Sequence, residues 1–247
     1  MKRWPSILMY HRLVARLDAP DPTGNSISAA AFESQLQWLL GRRYACLPLA
    51  AIAAGGSLPN RAFAITFDDG YRDNYEVAWP ILRRFGLTAT VFLVTDCIGG
   101  VNEFDRGLGP YPVPMLTPSQ IRDMHAGGID FGSHTCSHPA DLTALSGEAL
   151  NHELGDSRRT IESLLGASCT AFCYPHGKHD ATVEAAVEDA GYALATGAVG
   201  TLLARYGLSR VDAARWSGAT LRLGLIEREF KWRVRRTPLI GALAARR

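Results

Sequence analysis

Residues 62–70 read Ala62-Phe63-Ala64-Ile65-Thr66-Phe67-Asp68-Asp69-Gly70, an apolar run that stops on two adjacent acids and a glycine. A run of this length, polar only at Thr66, suits a strand buried on both faces, as strands of a parallel sheet are. Two neighbouring carboxylates at the end of such a strand are costly unless a cation or a shared proton relieves them. The plainer alternative is an Asp-Asp-Gly surface turn, a common loop composition.

Reading outward from this stretch, the runs Ile7–Tyr10, Thr88–Val94, Ile129–Gly132, Ala171–Tyr174, Ala193–Thr196 and Ser209–Asp212 have the same buried-strand character. Helical patterns separate them. Ser28 is placed to cap a helix that buries Phe32, Leu36, Leu39 and Leu40 and stops at Gly41. Val77–Phe85 ends at Gly86, a third helix runs from Pro118 to Gly127, and Ala181–Ala190 ends at Gly191. Glu148–Leu165, with Leu150, Leu154, Ile161 and Leu165 at helical spacing, reads as one continuous helix closed by Gly166. Seven strands alternating with helices predict an α/β fold with a parallel sheet, either closed as a barrel or open and doubly wound.

The chain has 247 residues, 47% of them hydrophobic, 20% charged, with a net charge of +2. That describes one enzyme-sized domain with a large core and excludes collagen-like and disordered classes. A near-neutral balance also argues against a nucleic-acid partner. No apolar run reaches the roughly 18 residues of a membrane span. The run after Lys2 and Arg3 is short for a signal-peptide core, so a cytoplasmic location is expected. Five cysteines without a C-x-x-C pair read as reduced thiols and argue against a cysteine zinc site.

The segment Leu221–Arg247 differs in composition. Its eight basic and two acidic residues give it a net +6 and leave −4 for residues 1–220. Two readings stand: a terminal helix packed on the domain with a solvated charged face, or a basic amphipathic tail touching the inner face of an anionic membrane. The domain organisation is therefore a globular α/β unit over 1–220 and a basic tail over 221–247.

Two more clusters follow strands. Gly132-Ser133-His134-Thr135-Cys136-Ser137-His138-Pro139 holds two histidines four residues apart, a spacing that can converge on one ion. Alone it is a weak signal; a carboxylate from the Asp68-Asp69 pair would complete three ligands with a position left open. Phe172-Cys173-Tyr174-Pro175-His176-Gly177 forces a sharp turn whose backbone N–H groups could hold an oxyanion, or is simply a turn.

In order, T-F-D-D-G, H-T-x-x-H-P and F-x-Y-P-x-G resemble the polysaccharide deacetylases, carbohydrate esterase family 4 with its NodB homology domain. The resemblance runs from about Ile7 to Asp212. It implies a distorted (β/α)7 barrel and metal-dependent removal of acetyl groups from N-acetylated sugars. It assigns Asp69, His134 and His138 as metal ligands, Asp68 as catalytic base and the Tyr174 backbone N–H as oxyanion donor. The implied cofactor is a divalent metal, Zn²⁺ first, with Co²⁺, Ni²⁺, Mn²⁺ and Fe²⁺ also suited to a His₂Asp set.

One departure matters. Where many members carry Leu-x-His near the C-terminus, this chain reads Leu208-Ser209-Arg210. Leu8-Met9-Tyr10-His11 instead resembles the circularly permuted branch containing poly-N-acetylglucosamine deacetylases, which makes His11 the expected general acid, ahead of His176 and His179. Substrate contacts are expected from His176, Asn102 and Arg210, the last alternatively orienting site residues with Asp212. The expected substrate is an N-acetylated oligo- or polysaccharide or a lipid-linked sugar. The rival readings are hydrolysis of another non-peptide C–N bond and a catalytically silent carbohydrate-binding module.

Overall fold

Strand β1 (Ser6–Tyr10) lies between β5 (Ala62–Phe67) and β10 (Leu208–Asp212), and its position closes the sheet. The structure, a computed structural model, describes residues 5–17, 21, 23–54, 58–199 and 205–214. The domain boundary at 220 and the tail 221–247 lie outside the described residues.

From β5 the order continues through β6 (Thr90–Leu93), β7 (Asp130–Ser133), β8 (Ala171–Cys173) and β9 (Leu194–Val199) to β10, every pairing parallel. The result is a closed seven-stranded (β/α) barrel of one domain. Of the two architectures left open by the strand pattern, the closed one is therefore the observed one. Short strands sit outside this ring: β2 (Arg12–Val14) pairs with β3 (Ser26–Ser28), and β4 (Ala45–Cys46) pairs with the start of β5.

Helices cover the barrel. α1 (Ala29–Gly41) starts at Ser28, whose side chain accepts the Ala31 N–H. α2 (Leu49–Ala53), α3 (Trp79–Phe85), α4 (Pro118–Ala126), α5 (Gly147–Asn151), α6 (Ser157–Leu165) and α7 (Ala181–Asp189) follow. The continuous helix expected over Glu148–Leu165 is interrupted: a π-helical turn, His152–Asp156, joins α5 to α6. A second π turn, Asn74–Ala78, precedes α3. Helical spacing persists through a one-residue π insertion, so apolar periodicity alone does not reveal it.

Strand side chains alternate between the two faces of the sheet. Leu8, Tyr10, Phe63, Ile65, Phe67, Val91 and Leu93 face the helices, where Tyr10, Phe32 and Phe67 meet with ring centroids 5.0–5.9 Å apart. Ile7, Ala64, Phe92, Ala171, Cys173, Leu194 and Leu208 form a second buried cluster inside the barrel, with Leu49 and Ile52 of α2 packed on it. The barrel is narrow enough that Phe92 dictates its neighbour: a Cβ on Gly132 would lie 2.6 Å from the Phe92 ring and 2.7 Å from the Ala171 carbonyl.

Register places the chemistry. Tyr10 pairs with Phe67, so His11 leaves β1 beside Asp68, and the Asp68 N–H donates to the Tyr10 carbonyl at 2.9 Å. Leu93 pairs with Ser133, and Ser133 with Phe172, which brings the ends of β7 and β8 to the same rim. Active sites of parallel barrels are built at this carboxyl-terminal rim.

Candidate active site

Asp69 stands at the centre of the rim. Its Oδ1 lies 3.4 Å from His134 Nε2 and 3.7 Å from His138 Nε2. One ligand atom from each of the three residues fits within 4.8 Å of the other two. His134 Nδ1 is 2.7 Å from the Cys173 carbonyl. A carbonyl can only accept, so Nδ1 donates to it and leaves Nε2 as the ring atom turned to Asp69, the arrangement of a metal-ligating histidine held through its other nitrogen. Burial lowers the His138 pKa well below the usual imidazole value, with His134 and His176 adding to it, which leaves a neutral ring with a lone pair.

Burial pushes the Asp69 carboxyl up to about 7, His134 opposing and Asp68 reinforcing the rise. A bound divalent cation would supply the positive charge this carboxylate lacks. The donor chemistry fits such an ion: one carboxylate oxygen and two imidazole nitrogens converge, and the His134 ring is held from behind by the Cys173 carbonyl. A second group, Asp68, His134 and Cys173, is also close enough. It fits less well, because burial pushes the Cys173 thiol up, away from the thiolate a metal requires, and Arg210 already occupies Asp68.

Asp68 is 2% exposed and is held by Arg210 through Nη1–Oδ1 at 2.6 Å and Nη2–Oδ2 at 2.7 Å. Burial alone would raise its pKa. The charge and paired hydrogen bonds of Arg210 override this and hold it well below the ordinary carboxylate range. His11 Nε2 lies 3.8 Å from Asp68 Oδ2. Burial lowers the His11 pKa, and Asp68 pulls it back up. The strand exit that carries His11 is clamped by the segment after Gly70. Asn74 Nδ2 donates to the His11 carbonyl at 2.9 Å, while Asp73 accepts from the Leu13 N–H and from Arg12.

The structure redirects three of the expected contacts. The Tyr174 N–H donates to the Thr196 carbonyl at 3.0 Å, so β8–β9 pairing consumes it and it is no oxyanion donor. The neighbouring His176 N–H makes no hydrogen bond among the described residues, and the His176 ring is exposed at the rim 4.8 Å from that of His138. Arg210 points into the barrel: besides Asp68 it donates to the Gly197 carbonyl and Thr66 Oγ1 and approaches Cys173 Sγ, so it orients the site and has no face for substrate. Asn102 is fully buried, donating to Asp105 and the Pro110 carbonyl and accepting the Val113 N–H. It organises the loop rather than reaching the cleft. His179 is stacked on the Tyr174 ring at 4.3 Å and lies 3.0 Å from Glu184.

The loop that Asn102 organises, residues 99–105, is expected from its position to cover the cleft, and it supplies an aromatic ring to the site. Phe104 lies on His138 with ring centroids 4.7 Å apart and covers one side of the metal-type cluster. Tyr71 Oη donates to Asp105 at 2.7 Å and ties the same loop to the residues that follow Asp69. Loop position points to this segment, and the fold shows that Phe104 is its residue on His138.

Asp69, Thr135, His138 and His176 all have positive φ, 73°, 71°, 60° and 55°. Non-glycine residues in this region cost about 1–3 kcal/mol each and collect at functional sites. Four such residues at one rim mark the place where the fold tolerates strain.

A barrel rim with a His₂Asp cluster beside an arginine-held carboxylate is a candidate metal-type active centre. The chain belongs to the polysaccharide deacetylase family, whose model matches residues 55–195. Among curated relatives it is 30% identical over 192 residues to YxkH of Bacillus subtilis, a protein assigned to the polysaccharide deacetylases, covering 75% of this chain and 61% of that one. It is 26% identical over 163 residues to the poly-beta-1,6-N-acetyl-D-glucosamine N-deacetylase of Staphylococcus aureus, covering 62% of this chain and 54% of that enzyme. The chain thus spans less than two thirds of either relative. The Streptococcus pyogenes deacetylase PplD, solved with acetate, superposes with a TM-score of 0.73 at 25% identity, over 89% of this chain and 97% of that one. IcaB from Ammonifex degensii shares the fold, with a TM-score of 0.73 at 21% identity over 90% and 96%.

Proposed function

We propose that this chain is a divalent-metal-dependent N-deacetylase that hydrolyses the acetamide of an amino sugar in a glycan or glycan precursor and releases acetate. The observation that carries the reading is the pairing of two sites at one rim: Asp69, His134 and His138 converge, and Asp68 stands beside them locked by Arg210. Membership of the polysaccharide deacetylases supports the reaction class.

Asp69, His134 and His138 would hold the ion, zinc being the first choice for this donor set. A bound cation would supply Lewis-acid chemistry, a more electrophilic acetyl carbonyl and a more acidic attacking water. Asp68, kept ionised by Arg210, accepts the proton of that water. Its fixed orientation offsets its low basicity, because the carboxylate needs no reorganisation as the proton arrives. The His176 N–H, without an acceptor of its own, is the backbone donor for the oxyanion. His11 delivers a proton to the departing amine, and its closeness to Asp68 stabilises the protonated imidazole that the step requires.

A lipid-linked sugar as substrate, and peripheral contact of segment 221–247 with an anionic membrane, belong to the same proposal. The test is acetate release from N-acetylglucosamine oligomers by metal-loaded protein, beside an Asp68→Asn control. Acetate from the wild type alone supports the reading. No acetate from any glycan, with one equivalent of metal bound, would overturn it in favour of another C–N bond or of sugar binding without turnover.

A further inference from the structure

The loop between His134 and His138 does not hold its own shape. Thr135 and His138 both have positive φ, and the intervening N–H groups turn away from the barrel ladder. Their hydrogen bonds can be followed one by one. The Thr135 N–H goes to Ser133 Oγ at 3.1 Å and the His138 N–H to Thr135 Oγ1 at 3.0 Å. The two in between, Cys136 and Ser137, both donate to Glu153 Oε2, at 2.8 and 3.0 Å, and Ser137 Oγ donates to Glu153 Oε1 at 2.6 Å. Successive backbone N–H groups cradling one carboxylate oxygen form an anion nest, here filled by the protein's own side chain.

Glu153 is itself fixed. It is 7% exposed and sits in the π-helical turn His152–Asp156 that breaks the expected continuous helix. Ser157 Oγ lies 2.6 Å from the Glu153 carbonyl and 2.7 Å from Ser133 Oγ, the atom that receives the Thr135 N–H. The circuit therefore runs from β7 through the loop to the π turn and back. The other π turn among the described residues, Asn74–Ala78, likewise carries a buried polar residue, Asn74, which holds the His11 carbonyl.

We infer that Glu153 is a positioning residue for the metal-type centre: its carboxylate, seated between the two histidines in the loop's nest, holds His134 and His138 so that both Nε2 atoms face Asp69. The inference rests on the proposed metal site, but its test does not pass through acetate release. Outer partners of metal ligands typically set affinity by about 10- to 100-fold.

The experiment is a Co²⁺ titration of the metal-free full chain, competed against a chromophoric chelator, with folding followed by circular dichroism. Glu153→Ala should bind Co²⁺ about 10- to 100-fold more weakly. Glu153→Gln, which can accept both N–H groups at its carbonyl oxygen and donate to Ser137 Oγ, should recover most of that loss. Ser137→Ala removes one of the three bonds and should weaken binding by about threefold to tenfold; it serves as the test if Glu153→Ala does not fold. Unchanged Co²⁺ affinity in folded Glu153→Ala, or in Ser137→Ala where the former does not fold, would overturn the inference while leaving the metal site standing. A Glu153→Gln protein as weak as Glu153→Ala would overturn it too, since charge rather than positioning would then be responsible. A wild-type chain that binds no Co²⁺ would remove the metal centre itself and the inference with it.

Discussion

Arg210 on β10 and Asp68 after β5 meet in a parallel two-bond fork, 2.6 and 2.7 Å, although 142 positions separate them in sequence. Only closure of the barrel through β1 brings them together. Removing the guanidinium leaves a buried carboxylate without a partner, which costs about 3–5 kcal/mol. Arg210→Met should lose stability of that order in denaturant unfolding. Arg210→Lys keeps a charge but cannot form the fork, so it should fall between the two. The pH dependence has a definite sign: the folded pKa of Asp68 is depressed, so the pair's contribution is complete above the unfolded carboxyl value of about 3.9 and is lost as pH falls below it. Unfolding free energy that does not fall below pH 4, or falls equally in Arg210→Met, would contradict the pairing.

Asp69 behaves in the opposite sense. In the metal-free protein its folded pKa, raised by burial to about 7, lies above the unfolded value of about 3.9. At Asp69 the folded state then binds more protons than the unfolded state between these values, so the contribution of Asp69 to metal-free stability should decline as pH rises from 4 toward 7, opposite in sign to that of the buried rings of His11 and His138. Asp69→Asn should flatten that decline. Loading with a divalent cation should reverse it and release a proton below pH 7, read as buffer-dependent heat in calorimetry. A wild-type minus Asp69→Asn difference in metal-free stability that rises across this window would show that Asp69 is not the buried acid described.

Much of the barrel was legible from runs such as Ala62–Phe67 and from the glycines that end helices, Gly86 and Gly166, both at positive φ. Strand ends share one rim, so the two histidines and the Asp68-Asp69 pair were legible as one cluster, while the choice of Asp69 over Asp68 came from the family resemblance. What was hidden depends on register or on local insertion. Whether the Tyr174 N–H is free is settled by how far β8 pairs with β9. Asn102 reads as a loop polar residue until its partners Pro110 and Val113 are known. Glu153 sits at an ordinary helical position until the π turn rotates it inward.

His11 and His176 compete for the role of general acid, and two substitutions separate them. His11→Ala should lower kcat by about 10²- to 10⁴-fold without changing the metal bound per chain. His176→Gly keeps the backbone N–H and relaxes a residue at φ 55°, so kcat should stay near that of the wild type. If kcat collapses in His176→Gly and survives in His11→Ala, the assignment is reversed.

Asn102 provides the sharpest separation between organising a cleft and touching substrate. Its amide makes three hydrogen bonds inside one loop, to Asp105, Pro110 and Val113, while Phe104 of that loop lies on His138. Asn102→Ala strands the Val113 N–H, at a cost of about 1–3 kcal/mol. That cost is local, so proteolytic cleavage between residues 99 and 116 should accelerate well before global unfolding does. KM should rise through the displaced Phe104, because the wall of the cleft moves with the loop. A direct substrate contact would give a different pattern: the same rise in KM with an unchanged cleavage rate. Measuring both on one preparation decides between them, and the buried amide with every bond directed into its own loop predicts the first.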